Sequence, residues 1–455
     1  MKTEIVSPCV SIPEDGASAR LLGLYPQRQE GLWMQRIRVP GGTLDQGQWH
    51  ALADAAREFT PLTPLHVTTR QDVEFHDLPP EEVPRLQAFL AEEGLSGIGA
   101  CGDTLRNVTV CPCSRVRAGC PDLGPLALDI LHLLHEQDGI FALPRKFKIS
   151  LSACPDGCAQ PYINDLGFVA QRRGDGWVFN VIAAGSLGPR PATGIPLAAD
   201  VPPEDVLPLV LAAVRIFAAH GDREHRGRAR LRHVREALGD VAFAALLLDA
   251  FRRVKAERSW PWITLLPCAE EFTGRLTLRF ANGDVSPDAA DALGSLTGDQ
   301  SLRVRIGNHH EVHVFGGDGD SLRRHVLAQR SLADALRPSA RVVACPGTRW
   351  CSHGITDANG LGERIARELN DVLRPGTFVG ISGCPNGCAQ GAVADFGLVG
   401  GLSTRDGRRV EVWTLLAGGG GGRDARLATE VARALTADEV INEIRRRLEP
   451  GEARH

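Results

Sequence analysis

The chain has 455 residues, 43% hydrophobic and 23% charged, with 51 basic against 55 acidic side chains and a net charge of −4. That length supports two or more domains with separate cores, and the near-balance of charge gives no global attraction to nucleic acid. The longest apolar run, 241–251, is too short to span a membrane and contains Asp249.

In chain order, residues 1–16 lack an apolar core and carry Glu4, Glu14 and Asp15, which argues against a secretory signal. Residues 1–19 and 449–455 read as polar tails, and the expected location is the cytoplasm. Twelve cysteines in that reducing compartment are free thiols or metal ligands. A strand is predicted over 33–39, where alternation puts Arg36 and Arg38 opposite Trp33, Ile37 and Val39. A second strand is predicted over 67–76, with Arg70 opposite Val67, Val73 and Phe75. Arg106 lies just before Cys111, and Lys146 and Lys148 just before Cys154, so cations accumulate beside thiols. Each alone would be a solvated surface charge; clustered, they suggest a pocket for anions.

A helical connector is predicted over 202–256. Residues 206–219 are apolar at helical spacing, Gly221 breaks the pattern, 223–235 is dense in cations and 241–255 is amphipathic. Farther on, the strand-like run 410–416 leads into Gly418-Gly-Gly-Gly-Gly422. It lacks the G-x-G-x-x-G order opening a helix, so it reads as a loop and not a nicotinamide site.

The strongest pattern is a repeat. Cys345-x5-Cys351 with Cys384-x3-Cys388 echoes Cys111-x8-Cys120 with Cys154-x3-Cys158 at matched separation. Around them, Leu151-Ser-Ala-Cys-Pro-Asp-Gly-Cys-Ala-Gln160 returns as Ile381-Ser-Gly-Cys-Pro-Asn-Gly-Cys-Ala-Gln390, and 164–170 returns as 394–400. So long a repeat is a domain duplication, and each half reads as strands interleaved with helices, an α+β pattern. The thiol spacing suits an iron–sulfur cluster, whose four cysteines converge on one cube. Structural zinc and plain buried thiols are the other readings of the same spacing.

The second cysteine set resembles that of the sirohaem-containing sulfite and nitrite reductase family. Other stretches that resemble it are Tyr25-Pro-Gln-Arg-Gln-Glu-Gly31, 36–42, Thr68-Thr-Arg-Gln71, Gly102-Asp-Thr-Leu-Arg-Asn-Val108, Leu143-Pro-Arg-Lys-Phe-Lys148 and 220–226. The likeness runs over 22–447. It implies an internally duplicated, pseudo-twofold α+β fold: ferredoxin-like half-domains at 22–98 and 259–334, α/β sirohaem/cluster domains at 99–201 and 335–448, and a helical connector at 202–258. It also implies a 4Fe-4S cluster on Cys345, Cys351, Cys384 and Cys388, with Cys388 shared with the iron of sirohaem. Arg36, Arg106, Lys146 and Lys148 match the family's substrate-binding cations, and Arg70 matches an arginine on sirohaem carboxylates. Arg226 and Arg230 are further carboxylate partners or part of an exposed basic helix. Glu74 stands where the family often has Gln, and would repel sirohaem unless paired or protonated.

Aligned on cysteines, the counterparts of Arg106, Lys146 and Lys148 are Ala340, Gly376 and Phe378, and Arg70 falls opposite His309 or a neighbour. One site shared by both halves is therefore expected, not two. Cys111, Cys120, Cys154 and Cys158 are then either packed relics or the ligands of a second cluster, and Cys113 is unexplained. The implied activity is six-electron reduction of a small oxyanion. The Lys146-x-Lys148 pair favours sulfite to sulfide, with nitrite to ammonia as the alternative. Electrons would come from ferredoxin or a flavoprotein subunit, with no nucleic-acid or membrane partner. A precorrin-3B synthase-like enzyme would need no small-anion cations, and a zinc-stabilised scaffold is the non-enzymatic alternative.

Overall fold

The structure, a computed structural model, describes residues 11–117, 119–266, 272–336 and 340–449. Most of the two polar tails lies outside the described residues. The duplication is explicit in two matching sheets. Strands Leu105–Val110, Phe147–Ser152, Leu166–Arg173, Gly176–Ala183 and Ile195–Val201 pair in chain order, the first two junctions parallel and the last two antiparallel. In the second half Arg341–Ala344, Phe378–Ser382, Phe396–Arg405, Arg408–Ala417 and Thr429–Leu435 repeat that order and those directions. The central parallel strands are buried along their whole length: Leu105–Val110 and Phe378–Ser382 expose no residue, as sheets covered on both faces require.

The ferredoxin-like parts do not form separate cores. The short strand Asp284–Val285 pairs antiparallel with Leu65 and His66 and so joins the first half's sheet Leu24–Pro26, Trp33–Ile37, Val73–Leu78 and Leu65–Val67. Strands Gly274–Arg279, Glu311–Gly316 and Arg303–Ile306 form the adjoining three-stranded sheet. Helix Gln46–Phe59, opened by an Asp45/Gln48 capping box, sets Trp49, Leu52, Ala56 and Phe59 into one core with Ala289, Ala290 and Leu293 of helix Pro287–Gly298. At the tight turn after Trp33–Ile37, Gly42 has φ +70° and an added Cβ would lie 2.5 Å from the Ile306 carbonyl oxygen, so only glycine fits between the halves.

The connector is helical as expected, at Val206–His220, Leu231–Leu238 and Asp240–Ala256. Its apolar faces pack into the core of the first cluster-type sheet, against residues such as Phe147 and Leu134. One sequence expectation fails: 67–76 is not a single strand. Leu65–Val67 and Val73–Leu78 are the two arms of a hairpin. Thr68 forces the reversal: its Oγ1 accepts from the Arg70 and Asp72 amides, and Gln71 takes φ 65°. Arg70 is therefore aimed by a turn tip and not by strand alternation. Among the described residues, no helix is long and apolar enough to cross a membrane.

Candidate functional site

Parallel pairing delivers the second cysteine set to one sheet edge. Arg341–Ala344 and Phe378–Ser382 are neighbours in register, Ala344 opposite Ile381, so the chain beyond each C-terminal end emerges side by side. The first carries Cys345 and, after the short helix Gly347–Trp350, Cys351; the second carries Cys384 and Cys388. The Cys345 amide donates to the Ile381 carbonyl (3.0 Å), and the Gly383 amide donates to Cys345 Sγ (3.2 Å). Ser382 Oγ accepts from the Ala389 amide and closes the Cys384–Cys388 turn (3.2 Å). Burial pushes the Cys345 thiol up to about 12, so a metal must displace its proton for it to bind as thiolate.

The first half builds the same frame. Cys111 donates its amide to Leu151 (2.9 Å), Ala153 donates to Cys111 Sγ (3.0 Å), and Ala159 donates to Ser152 Oγ (3.2 Å). Its thiols also gather, but the sulfurs of Cys113, Cys154 and Cys158 form the tight group, and Cys111 stands outside it.

A cleft between the halves brings Arg70, Lys146, Lys148 and Arg230 of the first half against Asn308, Asn386, Cys388 and Gln390 of the second. Lys146 and Lys148 flank Phe147 on its strand; Phe147 enters the core, so the two amines take the opposite face. Cys388 is exposed at the far wall, where Thr69 Oγ1 donates to its carbonyl (3.2 Å). Arg70 is held by Asn164 Oδ1 (2.9 Å) and backbone carbonyls, and burial lowers it to about 9. Burial lowers Lys146 to about 7 and carries Lys148 well below the ordinary lysine range. Neither ammonium has a hydrogen-bond or ion-pair partner among the described residues. Arg230 differs: it pairs with buried Asp165 (2.7 Å), which also accepts the Lys148 amide (2.8 Å). The cleft thus sets Arg70 and two unpartnered lysine amines opposite a thiol, and an anionic occupant, by restoring the amines' charge, is what completes it.

The other predicted residues lie elsewhere. Arg36 is committed to Glu74, its Nε 2.7 Å from the carboxylate. Glu74 also accepts from His76 (3.1 Å). Burial alone would raise Glu74, yet Arg36 and then His76 hold it well below the usual carboxylate range, so it is paired and ionised. Replacing Glu74 by Gln is expected to cost roughly 2–3 kcal/mol at pH 7 in urea titrations. Because its folded pKa is depressed, Glu74 contributes that stability above the ordinary carboxylate range and loses it as pH falls. The gap between parent and variant should therefore begin to close below about pH 4 and vanish only as pH falls through Glu74's depressed folded pKa. Arg106 is buried with its Nε unpartnered, and it lies close enough to lower Arg70 and Lys146 electrostatically. Arg226 is 58% exposed and pairs with Asp103 outside the cleft.

The second half's corresponding face lacks counterparts of Arg70 and Lys148, although Arg341 lies over the Phe378 ring (5.4 Å). Gln71 and His310 occupy equivalent positive-φ positions, which makes His309 the counterpart of Arg70. His309 stacks edge-on against Phe378, the counterpart of Lys148 (4.8 Å). Phe378 and Lys148 share an anchor, their amides donating to Asp395 and Asp165 (2.8 Å each). Sequence reasoning did not pick out Asp165, Thr69, Asn308 or Asn386. Asp165 and Asn386 carried a signal through their places in the repeated segments, and Thr69 through the 68–71 stretch; Asn308 carried none. The glycine loop 418–422 also crosses between halves: the Gly422 amide donates to Gln160 Oε1 (2.9 Å) and the Arg423 amide to the Asp156 carbonyl (2.9 Å). In the reciprocal contact, Gly387 of the second cysteine turn lies against Leu187 and Gly188.

The model of the nitrite and sulphite reductase 4Fe-4S domain matches residues 101–254 and 339–449, one segment in each half. That of the nitrite/sulfite reductase ferredoxin-like half domain matches 25–93. The chain is 30% identical to the assimilatory ferredoxin-dependent nitrite reductase of Haloferax mediterranei, over 94% of this chain and 82% of that one. It is 29% identical to the sulfite reductase [NADPH] hemoprotein beta-component of Myxococcus xanthus, over 81% and 74%. The fold superposes on the Mycobacterium tuberculosis NirA protein with a TM-score of 0.81 at 24% identity, covering 96% of this chain and 88% of that one.

Proposed function

This chain belongs to the nitrite and sulphite reductase family, and from that premise we propose that it reduces nitrite to ammonia with six electrons delivered singly by a reduced ferredoxin. The preference for nitrite over sulfite reverses the sequence expectation. It follows the fuller match to a ferredoxin-dependent nitrite reductase than to a sulfite reductase component. The family's prosthetic groups are a 4Fe-4S cluster and sirohaem, and the residues present fit both. Cys345, Cys351, Cys384 and Cys388 would hold the cluster, their thiols carried by adjacent strand ends and the turns beyond them. Arg70 and the unpaired Lys146 and Lys148 supply what a tetrapyrrole polycarboxylate and a small oxyanion require of a wall. When bound, the cluster passes single electrons and sirohaem offers an open iron position to the substrate.

The observation that carries this reading is the pair of unpartnered lysine amines facing Cys388 across the interface between halves. Lys146, with an amine near neutrality, can give a proton to a departing oxygen and be recharged from solvent. Lys148 adds fixed donors to the same oxygen, and Arg70, locked by Asn164, orients without titrating. Arg106 strengthens the field from behind, and Arg36 contributes as the neutralised partner of Glu74. The domain limits 22–98, 99–201, 202–258, 259–334 and 335–448 are the proposed division, and the reducing cytoplasm is the compartment we assign to a chain with so many free thiols.

Sulfite to sulfide is the second reading, favoured by the Lys146-x-Lys148 pair. Steady-state reduction of both anions with dithionite and a viologen separates the two. The expected result is a higher kcat/KM for nitrite, and Lys148→Asn should lower the sulfite rate at least tenfold more than the nitrite rate. A parent enzyme that reduces sulfite but not nitrite contradicts the main reading.

A further inference from the structure

The first-half thiols do not simply copy the second set. The sulfurs of Cys113, Cys154 and Cys158 all lie within 4.8 Å of one another, and among the described residues no other three His, Cys, Asp or Glu ligand atoms are grouped so closely. Cys120, buried in the same core cluster as Cys113 and Cys154, is the nearest candidate for a fourth thiol. All four are free, and Cys113, Cys120 and Cys154 are buried.

Distance separates two kinds of centre. A tetrahedral ion with metal–sulfur bonds of about 2.3 Å holds its four sulfurs about 3.8 Å apart. A cube places each thiolate outside its own iron corner and holds the sulfurs farther apart. The second set has no trio within the closer limit, as a cube requires; the first set is contracted. The cause is local. Cys111 keeps the frame position equivalent to Cys345, its sulfur engaged by the Ala153 amide. The longer loop after it brings Cys113 into the group instead. The surroundings also expect negative charge. Arg305 is 8% exposed, bonds only the Cys111 and Ser114 carbonyls, and has no carboxylate partner among the described residues. Arg117 Nη1 lies 3.9 Å from Cys154 Sγ, though it is already paired with Asp156 (2.9 Å), whose carboxylate also accepts from Cys154 (3.7 Å).

We propose that Cys113, Cys120, Cys154 and Cys158 bind a single tetrahedral divalent ion of the zinc class as a tetrathiolate. Binding releases the thiol protons and leaves a dianionic centre beside Arg305, with Arg117 shared between that centre and Asp156. It involves no electron transfer, so it stands apart from the anion-reducing cleft and does not rest on that reading. The ion clasps the loop 111–120 to the turn 154–158, the same turn that receives Gly422 and Arg423 of the second half. Iron would satisfy the same four thiolates, and elemental analysis distinguishes the two.

The test is metal and labile-sulfide content of the anaerobically purified holoenzyme, with X-ray absorption at the zinc edge. The expected result is about five irons and about four labile sulfides per chain for one cube and one sirohaem, plus about one zinc with four sulfur neighbours near 2.3 Å. About six irons with four sulfides and no zinc overturns the proposal in favour of a redox-active iron tetrathiolate. About nine irons with eight sulfides overturns the proposal in favour of a second cube. Absence of any additional ion, or a disulfide among these thiols, also overturns it. Cys113→Ser should lower the extra ion at least tenfold with visible absorbance unchanged, whereas Cys111→Ser should retain it. Retention in the first variant or loss in the second contradicts the ligand set. The zinc-edge spectrum needs no variant, so a folding failure leaves the test intact.

Discussion

Replacing Cys388 by serine is expected to abolish turnover and to lower cluster iron and labile sulfide together. Cys388 is the exposed thiol at the cleft wall, the member of its set that lines the cleft with the first-half cations, close enough to act electrostatically on Lys146. A serine hydroxyl keeps the size but holds its proton far more tightly than a thiol, so it is a poor ligand for iron. The loss falls on both functions assigned to this corner, holding the cube and linking it to the tetrapyrrole. Nitrite turnover should drop by about three orders of magnitude or more, or about 4 kcal/mol of barrier. Melting and far-ultraviolet dichroism separate this from unfolding, because Cys388 is solvent-exposed and contributes little to the core. Unchanged turnover in Cys388→Ser would remove this thiol from the mechanism.

The second large effect belongs to Lys146. Lys146→Met keeps the length and apolar stem and removes the cleft amine that burial lowers to about 7. General acid catalysis by a positioned group is worth about 10²–10⁴-fold, so kcat for nitrite should fall by that factor. Lys146→Arg should restore anion binding more than turnover, because a guanidinium holds charge but does not give up its proton at neutral pH. Separate effects on KM and kcat in these two variants distinguish proton supply from simple attraction. Equal rates for parent and Lys146→Met would assign proton delivery to solvent alone.

The duplicated architecture was legible because its markers are covalently local. Thiol pairs, the Cys-Pro-x-Gly-Cys turns and the 164–170 segment recur at nearly constant separation, and parallel strands must place such turns at one edge. The helices at Val206–His220 and Asp240–Ala256 were equally visible, since helical spacing of apolar residues is a signal within one segment. The hairpin at 65–78 was hidden because Thr68 and Gln71 interrupt an otherwise continuous strand-like alternation, and only the tertiary pairing shows the reversal. Charge neutralisation was hidden for the same reason. Arg70, Arg226 and Arg230 look alike in sequence, yet the fold leaves Arg70 without a carboxylate, sends Arg226 to Asp103 and gives Arg230 to Asp165. The counterpart substitutions Phe378 and His309 had already pointed to one site instead of two. Cys113 could not be singled out, because its role depends on a loop path that spacing alone does not determine.

In the proposed composite site, an anion bound on the second half's cofactors is held by basic side chains of the first half. Titrating oxidised holoenzyme with nitrite and following the haem absorption tests it directly. Nitrite should shift the spectrum of the parent at saturable concentration, and the Lys146→Met/Lys148→Met variant, with cofactors intact, should bind it at least tenfold more weakly, about 1.4 kcal/mol. An unchanged dissociation constant in that double variant would contradict the composite site.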